Sequence, residues 1–213
     1  MTPSASARLI WHFDVISPFA ALAVADIAGL AESHEIEFRP VLFAGLLKAH
    51  GHLGPAEIPA KRVQTYRMAQ WLARERNVHF RFPPAHPFNP LLVLRLLCVR
   101  ALVAADVVAA FELIWGKGCD PQSAETGRRL ADALGIAPDD AQHQPAKDRL
   151  RANTDAALAA GVYGVPTLQI GSELFWGLDA LPMARAFMAD PGLFASGEMA
   201  RLSNLPMAVE RRR

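Results

Sequence analysis

An α/β fold interrupted by a large helical insertion is what the amino-acid sequence predicts, on three observations. A strand–helix–strand run opens the chain, strand character returns only after residue 162, and the stretch between carries helical patterns without a convincing strand. Residues 8–13, RLIWHF, fit a first strand. Pro18 to Ala31 fits a helix so rich in Ala, Leu, Val and Ile that most of its sides are expected to be buried. Residues 35–43, EIEFRPVLF, alternate Ile36 and Phe38 with Glu37 and Arg39, the period of a second strand. Two strands joined by a helix are expected to run parallel, with a right-handed crossover.

The segment AHGHLGPAEIPA reads as a loop punctuated by glycine and proline, and helix-like segments follow near 60–76, 90–115, 121–134 and 145–160. In VYGVPTLQIGSELFWG the pattern gives a strand at 167–170, a turn at Gly171-Ser172 and a strand at 173–175. A last helix is expected from Asp179 to Met188, stopped by Asp190-Pro191-Gly192. From residue 192 to the final ERRR no periodicity is visible, so this tail is expected to fray or to pack on a partner chain. The order βαβ, helical block, ββα matches a thioredoxin-type fold. The expected division is a discontinuous thioredoxin-like domain (1–43 and 162–190), a helical insertion (44–161) whose helix near 145–160 packs on that domain, and a tail (191–213).

Composition narrows the function classes. Of 213 residues 52% are hydrophobic and 20% charged, and the formal net charge is +1, so nothing points to nucleic acid or an anionic membrane as partner. Cys98 and Cys119 form neither a CxxC nor a dense framework, which suits a reduced, cytoplasmic chain. MTPSASARLIWHF has no long apolar core of a secretory signal. The most apolar run, Leu91 to Val108, is broken by Arg95, Arg100 and Asp106 and is expected to be a core helix rather than a bilayer span.

The chemistry centres on Ser17-Pro18. Serine at the N-cap and proline at the first helical position make an ordinary helix start, and capping is the common use of such a serine. Its location is less ordinary. The N-terminus of the first helix after the first strand is where a thioredoxin-like protein holds CxxC, because helix-end N–H groups stabilise a thiolate. Here the four residues are Ser17, Pro18, Phe19 and Ala20, so dithiol exchange by this site is excluded. An anion-stabilising helix end with a hydroxyl remains, suited to a thiolate that arrives on a ligand. Val165-Pro166-Thr167 precedes the third strand. In a thioredoxin-type fold that proline is cis and leaves the preceding backbone free to pair with a peptide-like ligand such as glutathione. Val165 is thus expected to bind the cysteinyl backbone of glutathione while Ser17 faces its sulfur. In LFWGLDALP, Asp179 is expected to cap the last helix, with Pro182 in its first turn and backbone N–H groups nearby able to hold a carboxylate.

Together FDVISPFAALA, LFAGLLKAHGHLGPAEIPAKR, FNPLLVLRLL and GVYGVPTLQIGSELFWGLDAL resemble the 2-hydroxychromene-2-carboxylate isomerase family, relatives of kappa-class glutathione transferases and of the DsbA fold, over roughly residues 9–190. The resemblance implies a glutathione-dependent isomerase of aromatic catabolism, acting on a small aromatic carboxylate and assembled as a homodimer. It implies that Ser17 is catalytic beside the cofactor sulfur, and that Val165, Pro166, Trp176, Gly177, Leu178 and Asp179 line the glutathione site. Substrate contacts would fall on Glu57, Ile58 and Phe88. Two positions depart from the pattern: Phe88 lacks the hydroxyl of an expected tyrosine, and the basic residue expected near the second-strand loop is represented only by Lys48. A kappa-like transferase and a redox-inactive thiol- or peptide-binding protein are the competing readings.

Other features have plain explanations. His50 and His52 have no third ligand at a sensible spacing, so no metal site is expected. WGKGCD lacks the rest of a phosphate loop. Lys61, Arg62 and Arg67 read as the wet face of a helix, with contact of one of them to a substrate carboxylate as the alternative, and Cys119 as a reactive thiol only if exposed.

Overall fold

The computed structural model describes residues 8–209. The leading residues 1–7 of the expected thioredoxin-like domain and the final 210–213 of the basic tail lie outside the described residues.

Strand β1 (Leu9–Phe13) is buried along its whole length because it lies inside the sheet, in the order β2-β1-β3-β4. It pairs in parallel with β2 (Ile36–Pro40) and antiparallel with β3 (Thr167–Ile170), which turns at Gly171 (φ +61°) into antiparallel β4 (Glu173–Trp176). The register sets Trp11 opposite Phe38 and Leu168, and Leu168 opposite Phe175, so one sheet face is a row of large apolar groups.

That face is covered by α1 (Pro18–Ala31), whose Ala20, Leu22, Ala23 and Ile27 are buried, and by α5 (Ala104–Phe111). Phe111 meets Trp11 at 5.9 Å and Phe13 at 5.8 Å. The remaining helices between the strand pairs are α2 (Phe43–Ala49), α3 (Pro59–Glu75), α4 (Leu91–Leu96), α6 (Ala124–Leu134) and α7 (Gln144–Ala159). A single hydrophobic core runs from the sheet into this helical block, while Val41, Leu46, Ala157, Val162 and Val165 form a smaller cluster beside it. Helix α7 packs on β2 and α2, and α8 (Leu181–Ala189) packs on β3 and β4.

Four expectations are corrected. The second strand ends at Pro40 rather than 43, because Phe43 opens α2 with its N–H donated to the Asp14 carboxylate (2.9 Å). The expected helix over 90–115 is α4, a turn, α5 and a π-helical turn (Glu112–Gly116). Arg100 makes the break: it holds Asp106 with two 2.8 Å bonds and also donates to the Leu134 carbonyl, while Asp106 accepts the Val103 N–H and opens α5. The last helix starts at Leu181, and its N-cap is Ala180 rather than Asp179. The tail is also partly ordered: Phe194 stacks on Phe187 at 5.2 Å, and α9 (Gly197–Leu202) follows.

Candidate active site

Where β1 ends, the chain enters α1 through residues 14–17. Ser17 is buried and caps α1 as expected, accepting the Ala20 N–H at 3.2 Å. Its hydroxyl donates across the chain to the Val165 carbonyl at 3.4 Å. The Val165-Pro166 peptide is cis. The Pro166 carbonyl accepts the Gly177 N–H at 2.8 Å, which ties this loop to the end of β4. Among the described residues the Val165 N–H donates to no protein acceptor.

The loop that carries Ser17 is held by groups the sequence reading did not single out. Trp115 donates its indole N–H to the Val15 carbonyl at 2.8 Å. Asp14 accepts the Ile16 N–H at 3.0 Å, and its other oxygen accepts Phe43 N–H. His86 Nε2 lies 2.8 Å from the Ile16 carbonyl, and because a carbonyl only accepts, Nε2 carries the proton. Tyr66 donates to the His86 carbonyl at 2.6 Å and sits 2.9 Å from Nδ1. Two side chains from the helical block, His86 and Trp115, thus reach back to the strand–helix junction, and Tyr66 holds His86 in place. The signals available in the sequence were slight: an acid three residues before Ser17, and a lone His-Pro.

Burial tunes two groups on β1 and its end in opposite directions. Asp14 is fully buried, which pushes its carboxyl up to about 7, and burial lowers His12 to about 4. Between pH 4 and 7 folded Asp14 binds more protons than the unfolded chain, so its contribution to stability is lost as pH rises. Folded His12 binds fewer, so its contribution grows up to pH 6.5; His86, lowered mainly by burial, adds in the same direction. The Asp14 and His12 changes are each about 3 to 4 kcal/mol and largely cancel. Relative to the parent, Asp14→Asn should therefore gain stability with rising pH across this window and His12→Gln should lose it. Urea midpoints at several pH values check this, and parallel curves for all three proteins would contradict it.

Two depressions adjoin beside Ser17, which lines the first of them. A pocket of about 460 Å³ is walled by Ile16, Pro18, Phe43, Leu47, Pro87 and Phe88, with Asp14, Ser17, Glu57, Thr65 and His86 as its polar members. A groove of about 550 Å³ is lined by Met68, Leu72, Arg76, Pro166, Gly177, Leu178, Asp179 and Pro182. Phe19, Val165 and Trp176 belong to both. Of the residues singled out from sequence, Ser17, Val165, Trp176, Glu57 and Phe88 therefore converge on the pocket, and Pro166, Gly177, Leu178 and Asp179 on the groove. The Glu57 carboxylate is engaged by the Gly54 N–H at 2.6 Å. Lys48 and Ile58 are on neither wall: Lys48 is exposed on α2, and Ile58 ends the turn that opens α3. A larger cavity of about 670 Å³ at the β2 edge shares no lining residue with these two.

Trp176 is half-exposed, packed on Tyr163 at 5.2 Å, and lies flush on Gly164, where an added Cβ would stand 2.4 Å from its indole nitrogen. Gly164→Ala should swing this shared wall outward and weaken occupation of the groove by about tenfold without unfolding the chain. Calorimetric titration with glutathione, beside a melting curve, checks it.

The groove suits a thiol tripeptide. The unpaired Val165 N–H can meet a peptide carbonyl, and Asp179 and Arg76, the latter also paired with Asp26, place one charge of each sign beside a ligand that carries carboxylates and an amine. The chain's own thiols are elsewhere: neither cysteine lines the pocket or groove, and burial pushes Cys98 up to about 12.

A strand–helix junction facing a cis-proline, with a helical block between the strand pairs, defines a thioredoxin-related class. The family model of the DSBA-like thioredoxin domain matches residues 8–189, and the chain belongs to that family. Within it, the chain is similar to the 2-hydroxychromene-2-carboxylate isomerase of Sphingobium xenophagum, 28% identical over 84% of this chain and 97% of the relative. Glutathione S-transferase kappa 2 of Caenorhabditis elegans is 28% identical over 85% of this chain and 91% of its own. A solved 2-hydroxychromene-2-carboxylate isomerase superposes with a TM-score of 0.75 at 25% identity, over 85% of this chain and 94% of that one. These relatives support an isomerase-type or transferase-type enzyme. No helix among the described residues is long and apolar enough to cross a membrane.

Proposed function

We propose that this chain is a glutathione-dependent isomerase of aryl enones, of the kind that interconverts 2-hydroxychromene-2-carboxylate and trans-o-hydroxybenzylidenepyruvate. The observation that carries the reading is a serine hydroxyl at the α1 N-terminus that lines an apolar pocket and lies 3.4 Å from the carbonyl of Val165, a residue this pocket shares with a peptide-sized groove. Glutathione, held there, would supply a thiolate for reversible addition to an electrophilic carbon, the chemistry that would let the former double bond rotate.

The chain does the rest. Ser17 turns its hydroxyl from Val165 to the sulfur, and the first-turn N–H groups of α1 favour negative charge there. The Val165 backbone pairs with the cysteinyl unit, and Trp176, Gly177, Leu178, Asp179 and Arg76 hold the two ends of the tripeptide. Phe88 and the surrounding apolar wall orient the ring and exclude water. In this arrangement the discontinuous thioredoxin-like domain (1–43 and 162–190) and the insertion (44–161) both contribute to each depression, with Arg76 of the insertion on the groove and Ile16, Pro18 and Phe43 of the thioredoxin-like domain on the pocket. Homodimer assembly, testable by light scattering, and residence in the reducing cytoplasm go with the reading.

A kappa-like transferase is the second reading, favoured by the kappa relative. Incubation with cis-benzylideneacetone and glutathione separates the two. Trans product with glutathione unconsumed supports the isomerase, and an accumulating thioether supports the transferase. Failure of glutathione to bind in a calorimeter overturns both and leaves a redox-inactive peptide-binding protein.

A further inference from the structure

The substrate class proposed above carries a carboxylate, which needs a cation other than the α1 N-terminus, since the thiolate occupies that end. Lys48 does not supply it, being exposed on α2 and outside the pocket wall. Arg62 of α3 does reach the wall. It donates its Nε–H to the carbonyl of Ala56 at 2.5 Å, and Ala56 lines the pocket. Arg62, Tyr66 and Ala69 are spaced i, i+4, i+7 along α3; Tyr66 bonds His86 and Ala69 is fully buried, so the face they share is turned inward. Thr65, beside Tyr66, is itself on the wall. The charge acts on the same groups: burial lowers His86 and Arg62 adds to the lowering, while burial raises Tyr66 and Arg62 opposes the rise.

Arg62 is also uncommitted. The carboxyl groups of the wall have other partners, Asp14 accepting the Ile16 and Phe43 N–H groups and Glu57 the Gly54 N–H. Among the described residues Arg62 forms no ion pair, and its bond to Ala56 uses Nε alone. A guanidinium fixed by Nε presents its two Nη groups as a planar fork, the geometry that takes both oxygens of a carboxylate.

We infer that Arg62 is the specificity residue of this pocket and receives the carboxylate of the aryl enone. The inference rests on the glutathione-dependent isomerase reading and deepens it, moving the carboxylate contact from the second-strand loop to the start of α3.

Benzylpyruvate and benzylacetone test it without reaction, since they differ only in a carboxylate or a methyl on the same carbonyl. In calorimetric titration of the glutathione-loaded protein, benzylpyruvate should bind about tenfold more tightly than benzylacetone. Arg62→Gln should remove that preference and leave benzylacetone and glutathione affinities unchanged, and Arg62→Lys, which keeps the charge without the fork, should retain part of it. Equal or weaker binding of benzylpyruvate by the parent overturns the inference without needing any variant. A preference that survives Arg62→Gln overturns it too, and an equal loss of both ligands in that variant shows that Arg62 only props the Ala56 turn. Each of these leaves the glutathione reading standing, whereas absence of glutathione binding overturns the reading itself.

Discussion

Replacing Ser17 with alanine should lower glutathione-dependent turnover by roughly 10²–10³-fold, the usual cost of removing one donor from a developing or held anion. The fold should survive. Ser17 contributes an N-cap bond to Ala20 and a long bond to Val165, and cap loss costs about 1 kcal/mol. The apparent pKa of the bound thiol, followed by its ultraviolet thiolate absorbance, should rise in the variant. Turnover and thiol titration both equal to the parent would show that the serine is a helix cap and nothing more.

The second large effect concerns Trp115, which touches no ligand. It is 1% exposed, stacks on Phe80 at 5.3 Å, and donates to the Val15 carbonyl two residues before Ser17. Trp115→Ala should lose about 3–5 kcal/mol of stability through the cavity left behind. Trp115→Phe keeps much of the ring but leaves the Val15 carbonyl without its donor, which costs about 1–3 kcal/mol. The phenylalanine variant should also lose turnover more than glutathione affinity, because the junction that aims Ser17 is loosened while the groove is untouched. Urea unfolding measured with steady-state kinetics checks both, and a phenylalanine variant with parental turnover would deny that the indole bond positions Ser17.

Much of the fold is legible from short-range pattern. Pro18–Ala31 is a helix at the bounds its cap and composition predict, and the hairpin at Gly171 falls at the expected turn. The elements that escaped are those decided by contacts distant in sequence. The run from Leu91 to Val108 contains no glycine or proline to mark a break. Its break depends on Arg100 finding both Asp106 and the Leu134 carbonyl, an arrangement that exists only once α6 is in place. Helix α2 likewise begins where Asp14, far back in the chain, accepts the Phe43 N–H. The site divides the same way. Ser17, Val165 and the 176–179 stretch belong to local motifs, whereas Asp14, Tyr66, His86 and Trp115 act on backbone groups of other segments and leave no local pattern. Lys48 and Leu47 show the limit most sharply, since adjacent positions on one helix differ in whether they reach the pocket.

Ile16 is gripped through its backbone, with Asp14 on its N–H and His86 on its carbonyl, while its half-buried side chain packs against the core and lines the pocket. Exchange of that side chain alters neither grip. Position 16 is therefore a place where the shape of the electrophile pocket can be retuned, by drift or by design, with the neighbouring nucleophile site left in register. Libraries that vary residue 16 among apolar side chains and hold 14, 86 and 115 constant should yield altered substrate ranges at little cost in folding.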